Sequence, residues 1–305
     1  MTSNNFGHEN FEGFAYLDYH NPAVSWNLAR GAFCTPSELP PEEFNNSFLS
    51  VATAGMLSNS TPKRLYTELA IDSVRASIFP NCVSRLSGFF VFDEIDSISR
   101  FWDCNSWGGH FSDKYLSDVG VSATKSTRVD SNWIAHIVDV DGGLKADWHT
   151  NTEKYWHGEI CPGSEPIWER IVEGFLNVWS SNVRQEAYIE IQAISPNSLP
   201  LLHYSSLCAA YGSFDGLIFP YLIRENESDV KIIYISRIKQ LSDANFISKL
   251  VENAKKMPFI KVGIDNKTYN NEAITAPNLA FLNTTLSSQN ECAFADFVKL
   301  INQTK

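Results

Sequence analysis

The segment Trp168–Trp179, WERIVEGFLNVW, constrains the fold most, because it has the pattern of a β-strand interrupted by a glycine. Four of the five residues after Gly174 are apolar, and the aliphatic pair Ile171 and Val172 lies before it. Such a run is typical of a strand, and a glycine inside it indicates a bend. The segment therefore predicts a strand that bends at Gly174.

Two other segments have strand patterns. The first is Phe89–Phe92, followed by a predicted helix, and the second is Trp133–Val140, closed by Asp141-Gly142-Gly143. Upstream, RLYTELAIDSVRASIFP predicts a short strand that contains Tyr66 and leads into a helix ending before Pro80. These elements together predict an α+β fold.

The rest of the chain divides by composition. Residues 1–62 are rich in Asn, Ser, Phe and Pro and predict an irregular N-terminal arm, with one helix at Pro41–Leu49. Residues 63–185 form a predicted central domain, in which a long loop covers Asp103–Thr127. Residues 186–305 predict a C-terminal α/β lobe in the order strand, strand, helix, strand, helix.

Charge and cysteine usage limit the class of protein. The formal net charge is −11, and residues 66–185 hold 10 basic and 17 acidic side chains, so no attraction of the whole surface to nucleic acid or anionic lipid is expected. The 6 cysteines include no C-x-x-C pair, and the N-terminus has no secretory leader pattern. No apolar run reaches the roughly 18 residues of a membrane span. We therefore expect a soluble cytoplasmic protein with reduced thiols and no membrane partner.

Several common sites are missing from the sequence. It contains no glycine-rich phosphate loop and no G-x-S-x-G elbow, which disfavours kinase, simple dehydrogenase and hydrolase functions. The segment DWHTNTEKYWHGEIC contains His149, His157, Glu159 and Cys161, but their spacing matches no established zinc pattern. No metal is expected.

The order of the parts resembles bacterial toxin-type mono-ADP-ribosyltransferases. It runs from the strand with Tyr66 through a helix, the serine-rich SRLSGFFVF, another helix and an aromatic loop to YWHGE and PIWERIVEGFLNV. The resemblance is most specific in WERIVEGFLNV, because the catalytic glutamate of the family opens a strand with this pattern. It implies a split mixed β-sheet core with flanking helices, and NAD as the substrate.

The resemblance also assigns residues. It implies that Glu169 is the catalytic carboxylate, with Glu159 as its rival. The implied NAD-binding residues are Arg64 and Tyr66 in the first motif, Arg85 at the pyrophosphate, Ser87 at the nicotinamide ribose, Phe90 against the nicotinamide, and Tyr155 and Trp156 as a stacking wall. The structural alternatives are a surface ion pair for Arg85, a strand cap for Ser87 and a solvated strand edge for Glu169.

The implied function is transfer of ADP-ribose from NAD to a macromolecule by an intracellular toxin or phage-defence effector. The acceptor is open between nucleic acid and protein, although Ile167, two residues before Glu169, disfavours an arginine acceptor. The family also implies a neutralising antitoxin or chaperone, and the C-terminal lobe is expected to bind the acceptor or a partner. The alternatives are a non-catalytic ligand- or partner-binding protein and an NAD glycohydrolase.

Overall fold

The chain forms two antiparallel sheets flanked by helices, an α+β fold. The structure is a computed structural model, and it describes residues 8–104, 112–226, 229–256, 279 and 284–287. The strands in these residues are β1 (Glu9–Tyr16), β2 (Ala32–Cys34), β3 (Phe89–Val91), β4 (Leu116–Asp130), β5 (Trp168–Val178), β6 (Ile218–Arg224), β7 (Asp229–Ser236) and β8 (Thr284–Ser287). The helices are α1 (Pro22–Arg30), α2 (Val51–Ser58), α3 (Pro62–Ile78), α4 (Ile95–Cys104), α5 (Ile134–Ile137), α6 (Trp148–His157), α7 (Ser181–Ile194), α8 (Leu199–Tyr211) and α9 (Ala244–Lys256).

Strand β5 organises the larger sheet. It pairs with β4 along one edge, while β3 and β2 share its other edge, β3 at Arg170–Val172 and β2 at Phe175–Asn177. Strand β1 pairs with β4, and the second sheet has the order β6-β7-β8. Every strand pair in the described part of the chain is antiparallel, so the prediction of a mixed sheet is wrong there, while the α+β class is confirmed.

The predicted bend at Gly174 is confirmed. Gly174 has a φ of 137°, and the β4–β5 register shifts between Ala123 and Lys125, beside it. A Cβ at Gly174 would overlap the carbonyl oxygen of Ser122. Only glycine combines this φ with so close an approach of the neighbouring strand.

One face of the sheet is buried under helices from both ends of the chain. Helix α1 is buried at every residue, begins at Asn21, whose side chain caps it, and ends at Gly31 with a φ of 100°. It packs with α7 and α8 over β1, β4 and β5 in one hydrophobic cluster. The prediction of an irregular arm is therefore wrong: β1, α1, β2 and α2 lie within residues 1–62, and residues 41–49 form turns instead of a helix.

The opposite face of the sheet, near the start of β5, is covered by α3, α5 and α6. The predicted strand Trp133–Val140 is instead a 3-10 turn at Ser131–Trp133 followed by α5. Residues 133 and 134 are buried, 135 and 136 are exposed, and 137 and 138 are buried again, which is the spacing of a helix face. The apolar run at Trp133–Val140 is too short for its sequence pattern to distinguish the strand period of 2 from the helix period of 3.6.

The segment around Tyr66 is also helical. Thr61 and Pro62 open α3, and a proline at the first position of a helix is pre-organised for it, so the predicted strand before the helix is wrong. Residues 105–111 of the predicted loop Asp103–Thr127 lie outside the described residues, and from Leu116 onward the prediction of a loop is wrong, because this part belongs to β4. The strand at Phe89 and the helix after it are confirmed as β3 and α4.

Beyond residue 186, the predicted strand, strand, helix order is confirmed as β6, β7 and α9, but α7 and α8 come before them and were missed. The predicted strand at 259–264 and helix at 291–301 lie outside the described residues. The division at 62 and 185 stays a prediction. Its second boundary falls within α7, and one hydrophobic cluster includes Ala15, Val121 and Leu201.

Replacing Gly174 by alanine should destabilise the protein more than the same change at Gly163. Both glycines have positive φ, but a Cβ at Gly163 meets nothing within 4 Å. The strained backbone costs about 1–3 kcal/mol at either position, and only Gly174→Ala adds a steric overlap with a strand. Urea unfolding should show a difference of at least about 2 kcal/mol between the variants. Equal losses would mean that the bend at Gly174 is not fixed by the contact with β4.

Candidate active site

Glu169 is the second residue of β5 and lies opposite Val129 of β4. Side chains two residues apart on a strand share a face, and Ile171 belongs to the hydrophobic cluster under α3 and α6. Glu169 therefore points to the side of the sheet that these helices cover. The residue keeps some surface accessible, while its carboxyl group is surrounded by protein.

Arg85 lies on the same side of the sheet and is buried. Its Nε donates to Glu68 Oε2 at 3.0 Å, and its Nη1 donates to the Tyr155 hydroxyl at 2.7 Å. Its guanidinium carbon lies 4.9 Å from the ring centroid of Phe90. Arg85 therefore forms a buried ion pair with Glu68 instead of one at the surface. An anionic ligand would have to compete with Glu68 for the guanidinium group.

Glu68 is the centre of the charge cluster, although it was not among the predicted site residues. It lies on α3 with no exposed surface, and Arg64 donates to its Oε1 from Nη2 at 2.7 Å. Burial opposes the charge of Glu68, but the guanidinium groups of Arg85 and Arg64 outweigh this and lower its pKa. The i, i+4 spacing of Arg64 and Glu68 is a sequence signal for this pair once residues 62–78 are recognised as a helix.

Glu169 is the second carboxyl group of this cluster, beside Glu68. Among the described residues no side chain donates a hydrogen bond to it or forms an ion pair with it. Burial raises its pKa to about 7, with Arg85 lowering it and Glu68 raising it further. A carboxyl group with this pKa exists in both protonation states near neutral pH, and perturbed carboxyl groups of this kind are candidates for catalytic roles.

Phe90, Tyr155 and Trp156 surround the cluster from two elements. Phe90 lies on β3 opposite Ile171, and Tyr155 and Trp156 lie near the end of α6, both buried. The Trp156 indole donates to the backbone carbonyl of Ile71 at 3.1 Å. The structure therefore brings Arg64, Arg85, Phe90, Tyr155 and Glu169 together, with Tyr155 and Trp156 packed in the core instead of forming an open wall.

Three other predicted residues make no contact with the cluster in the part of the chain that the structure describes. Tyr66 is 47% exposed, on a different side of α3 from Arg64 and Glu68. Ser87 lies in the same turn as Arg85, and among the described residues it has no hydrogen bond to a member of the cluster. Glu159 follows α6 in a loop, and its side chain is 51% exposed beside His157. Ser84, which precedes Arg85, contacts α3 directly, because its hydroxyl donates to the Asp72 carboxylate at 2.7 Å.

The histidines near Glu159 do not form a metal site with it. His149 pairs with Glu153 on α6, and His157 with Glu159, while Cys161 is buried. Across the residues that the structure describes, no group of three or more His, Cys, Asp or Glu side chains is arranged to hold a metal ion. In the same residues no helix has both the length and the apolar character needed to cross a membrane.

A groove of about 340 Å³ lies at the other end of β5, where Trp179, Gly120 and Asn177 line it. Asn177 is eight positions along β5 from Glu169, or about 26 Å. None of the predicted site residues lines this groove. The candidate site and the groove are therefore separate features of the sheet.

No protein-family model matches the chain, and a search of curated proteins found no match.

The raised pKa of Glu169 implies that the free energy of unfolding depends on pH. Because the pKa of about 7 in the folded state lies above the ordinary value of 4.5, the folded protein is most favoured when Glu169 is protonated, and stability is lost as the pH rises through 7. Glu169→Gln has no charge to bury. Relative to the native protein, it should gain about 2 kcal/mol in the free energy of unfolding between pH 5 and pH 8.

Urea unfolding at both pH values measures this difference, and Glu159→Gln is the matched control because the Glu159 side chain is half exposed. The control should differ from the native protein by the same amount at both pH values. A Glu169→Gln variant that shows no such gain would indicate that the carboxyl group is solvated.

Proposed function

We propose that the protein is a mono-ADP-ribosyltransferase that cleaves NAD with the help of Glu169 and transfers ADP-ribose to a macromolecular acceptor. The observation that carries the proposal is the environment of Glu169: a carboxyl group at the start of a central strand, with no direct partner among the described residues and a pKa of about 7, beside a buried arginine. The resemblance of WERIVEGFLNV to the catalytic strand of the family supports the same residue.

The chemistry requires one carboxylate in this role. The bond between ribose C1′ and the nicotinamide nitrogen breaks, its electron pair leaves with the nicotinamide, and positive charge develops on the ribose. A carboxylate held beside the ribose stabilises this oxocarbenium-like state, as in glycoside cleavage. The acceptor then attacks C1′ and loses a proton, which a carboxylate of pKa about 7 can take up.

The neighbours of Glu169 have separate parts in this proposal. Arg85 and Glu68 set the electrostatic field at the carboxyl group, and Phe90 and Tyr155 keep its surroundings poor in water. The predicted contact of Arg85 with the NAD pyrophosphate requires the guanidinium to exchange Glu68 for the ligand. Glu159 is the weaker candidate, because its half-exposed side chain is more fully solvated.

The biological setting is part of the proposal. It remains an intracellular toxin or phage-defence effector with a nucleic-acid or protein acceptor, opposed by an antitoxin or chaperone. Ile167 is buried, so this position offers no polar group to an arginine acceptor.

A non-catalytic binding protein is the second candidate. Arg85, Tyr155 and Trp156 are all buried and have hydrogen-bond partners inside the protein, as residues of a purely structural cluster would. In that function the cluster stabilises the fold, and a ligand or partner binds elsewhere. An NAD glycohydrolase is distinguished from a transferase only by the acceptor.

Incubation of the purified protein with NAD, with and without cell lysate, separates these functions. A transferase should release nicotinamide faster when lysate supplies the acceptor, and a glycohydrolase should release it equally in both cases. The rate should rise with pH through about 7, because the carboxylate form of Glu169 stabilises the ribose cation. Glu169→Gln should lower the rate at least about a hundredfold.

Glu159→Gln is the control and should keep nearly the native rate. A normal rate in Glu169→Gln combined with a loss in Glu159→Gln would transfer the catalytic role to Glu159. Absence of nicotinamide release under every condition would favour the binding protein.

A further inference from the structure

Asp130, the last residue of β4, is a buried carboxylate that accepts hydrogen bonds only from N–H groups. Its Oδ1 accepts from the backbone N–H of Ile167 at 3.0 Å and from the backbone and side chain of Asn132 at 3.1 and 2.9 Å. Its Oδ2 accepts from the backbone N–H of Cys161 at 2.9 Å. The carboxylate therefore bridges the end of β4 to both ends of the segment 161–167.

The turn that begins at Asp130 holds the same segment at further points. The backbone N–H and the hydroxyl of Ser131 both donate to the Ile167 carbonyl, at 2.9 and 3.0 Å. The Asn132 side chain donates to the carbonyl of Glu165 at 2.9 Å. On the other side, the hydroxyl of Ser97, a buried residue of α4, accepts from the N–H of Trp168 at 3.0 Å. The residue just before Glu169 is thus fixed from β4 and from α4.

Two further contacts hold the segment 161–167: Arg100 of α4 donates to the carbonyl of Pro166 at 2.9 Å, and Ile167 packs in a cluster with Phe92, Ile98 and Phe101. Residues 162–165 are exposed, and only Cys161 and Ile167 at its ends are buried. Polar anchors from β4 and α4 therefore help to fix where β5 begins, together with its pairing to β4 and the burial of Ile167. Neighbouring residues of a strand point to opposite faces, so a slip of one residue would exchange Glu169 with Arg170, whose side chain pairs with Asp93 and Glu9 on the other face.

We propose that Asp130 and Ser97 are positioning residues for Glu169: they fix the entry of β5 and so hold the Glu169 carboxyl group on the face of the sheet that carries Arg85. The proposal rests on the proposed function for its catalytic consequence, but the positioning itself is a property of the structure.

The residue types fit this role. A carboxylate has only acceptors, which matches four N–H donors, whereas an asparagine would turn an NH₂ group towards at least one of them. A buried donor that loses its acceptor destabilises the native arrangement by its desolvation. Asp130→Asn therefore loosens the 161–167 segment, and Ser97→Ala leaves the N–H of Trp168 without a partner and changes no charge.

The test is a ¹³C NMR titration of the Glu169 side chain in full-length Asp130→Asn and Ser97→Ala, assigned by comparison with Glu169→Gln. Asp215→Asn is the control, because Asp215 is also buried and loses the same charge; it accepts from Tyr204, from the backbone of Lys239 and Gln240, and from Arg237, with which it forms an ion pair. Its neighbour Phe214 stacks on Phe175, six positions along β5 from Glu169 or about 20 Å. Both test variants should lower the titration midpoint of Glu169 by about one pH unit, as water reaches the carboxyl group, and the control should not change it. The rate of nicotinamide release at saturating NAD should fall at least about tenfold in the test variants, with a smaller change in KM.

Ser97→Ala separates geometry from charge. A midpoint that moves only in Asp130→Asn would assign the effect to the lost negative charge and overturn the proposal. Native midpoints in both variants, with a loss of stability like that of Asp215→Asn, would leave Asp130 and Ser97 as structural residues only. If Asp130→Asn does not fold, Ser97→Ala decides. The titration needs no NAD. Absence of NAD cleavage in the native protein would therefore refute the proposed function, while the titration would still test whether Asp130 and Ser97 position Glu169.

Discussion

The buried ion pair between Arg85 and Glu68 is the interaction on which the rest of the candidate site depends. It joins the turn before β3 to α3, and the hydrogen bond from Arg85 to Tyr155 adds α6 to the same unit. Removing either partner would leave an uncompensated buried charge, at a cost of about 3–5 kcal/mol. The pair thereby holds three elements over the start of β5 and creates the field in which Glu169 ionises.

The sheet explains why this field acts on one particular carboxyl group. Strand β5 is paired along both edges, with β4 on one side and β3 and β2 on the other, so its backbone has little freedom. Glu169 points towards Arg85 because it shares a face with Ile171, and Arg170 points to the opposite face. The bend at Gly174 lets β5 follow β4 through the register shift without losing this alternation.

Much of the fold near β5 could be predicted from the sequence, because long apolar runs bounded by polar residues are recognisable as strands. Residues 168–178, 89–91, 218–224 and 229–236 are strands as predicted. The strand predicted at Trp133–Val140 was wrong, because a short apolar run does not distinguish the strand period of 2 from the helix period of 3.6. The strand predicted around Tyr66 was wrong because Thr61-Pro62 was not recognised as the start of a helix. Helix α1 was missed although Asn21-Pro22 at its start and Gly31 at its end are ordinary helix signals.

The site was predictable in its residues more than in its contacts. Glu169, Arg85, Phe90, Arg64 and Tyr155 lie in one cluster, in which Arg85 binds Glu68 inside the protein; that these residues bind NAD stays a prediction. Glu68 could not be identified without the helix, since an acidic residue in a predicted strand has no defined partner. The role of Asp130 could not be identified, because its two long-range donors, the backbone N–H groups of Cys161 and Ile167, come from a segment whose proximity is set by the tertiary fold.

The most direct measurement is a crystal structure of the protein with a carbocyclic NAD analogue, whose bond to nicotinamide cannot be cleaved. We predict that the atom equivalent to ribose C1′ lies about 3.5 Å from a carboxylate oxygen of Glu169, with the nicotinamide ring on the side of Phe90. Binding of the analogue beside Glu159, or in the groove lined by Trp179, with Glu169 untouched would contradict it.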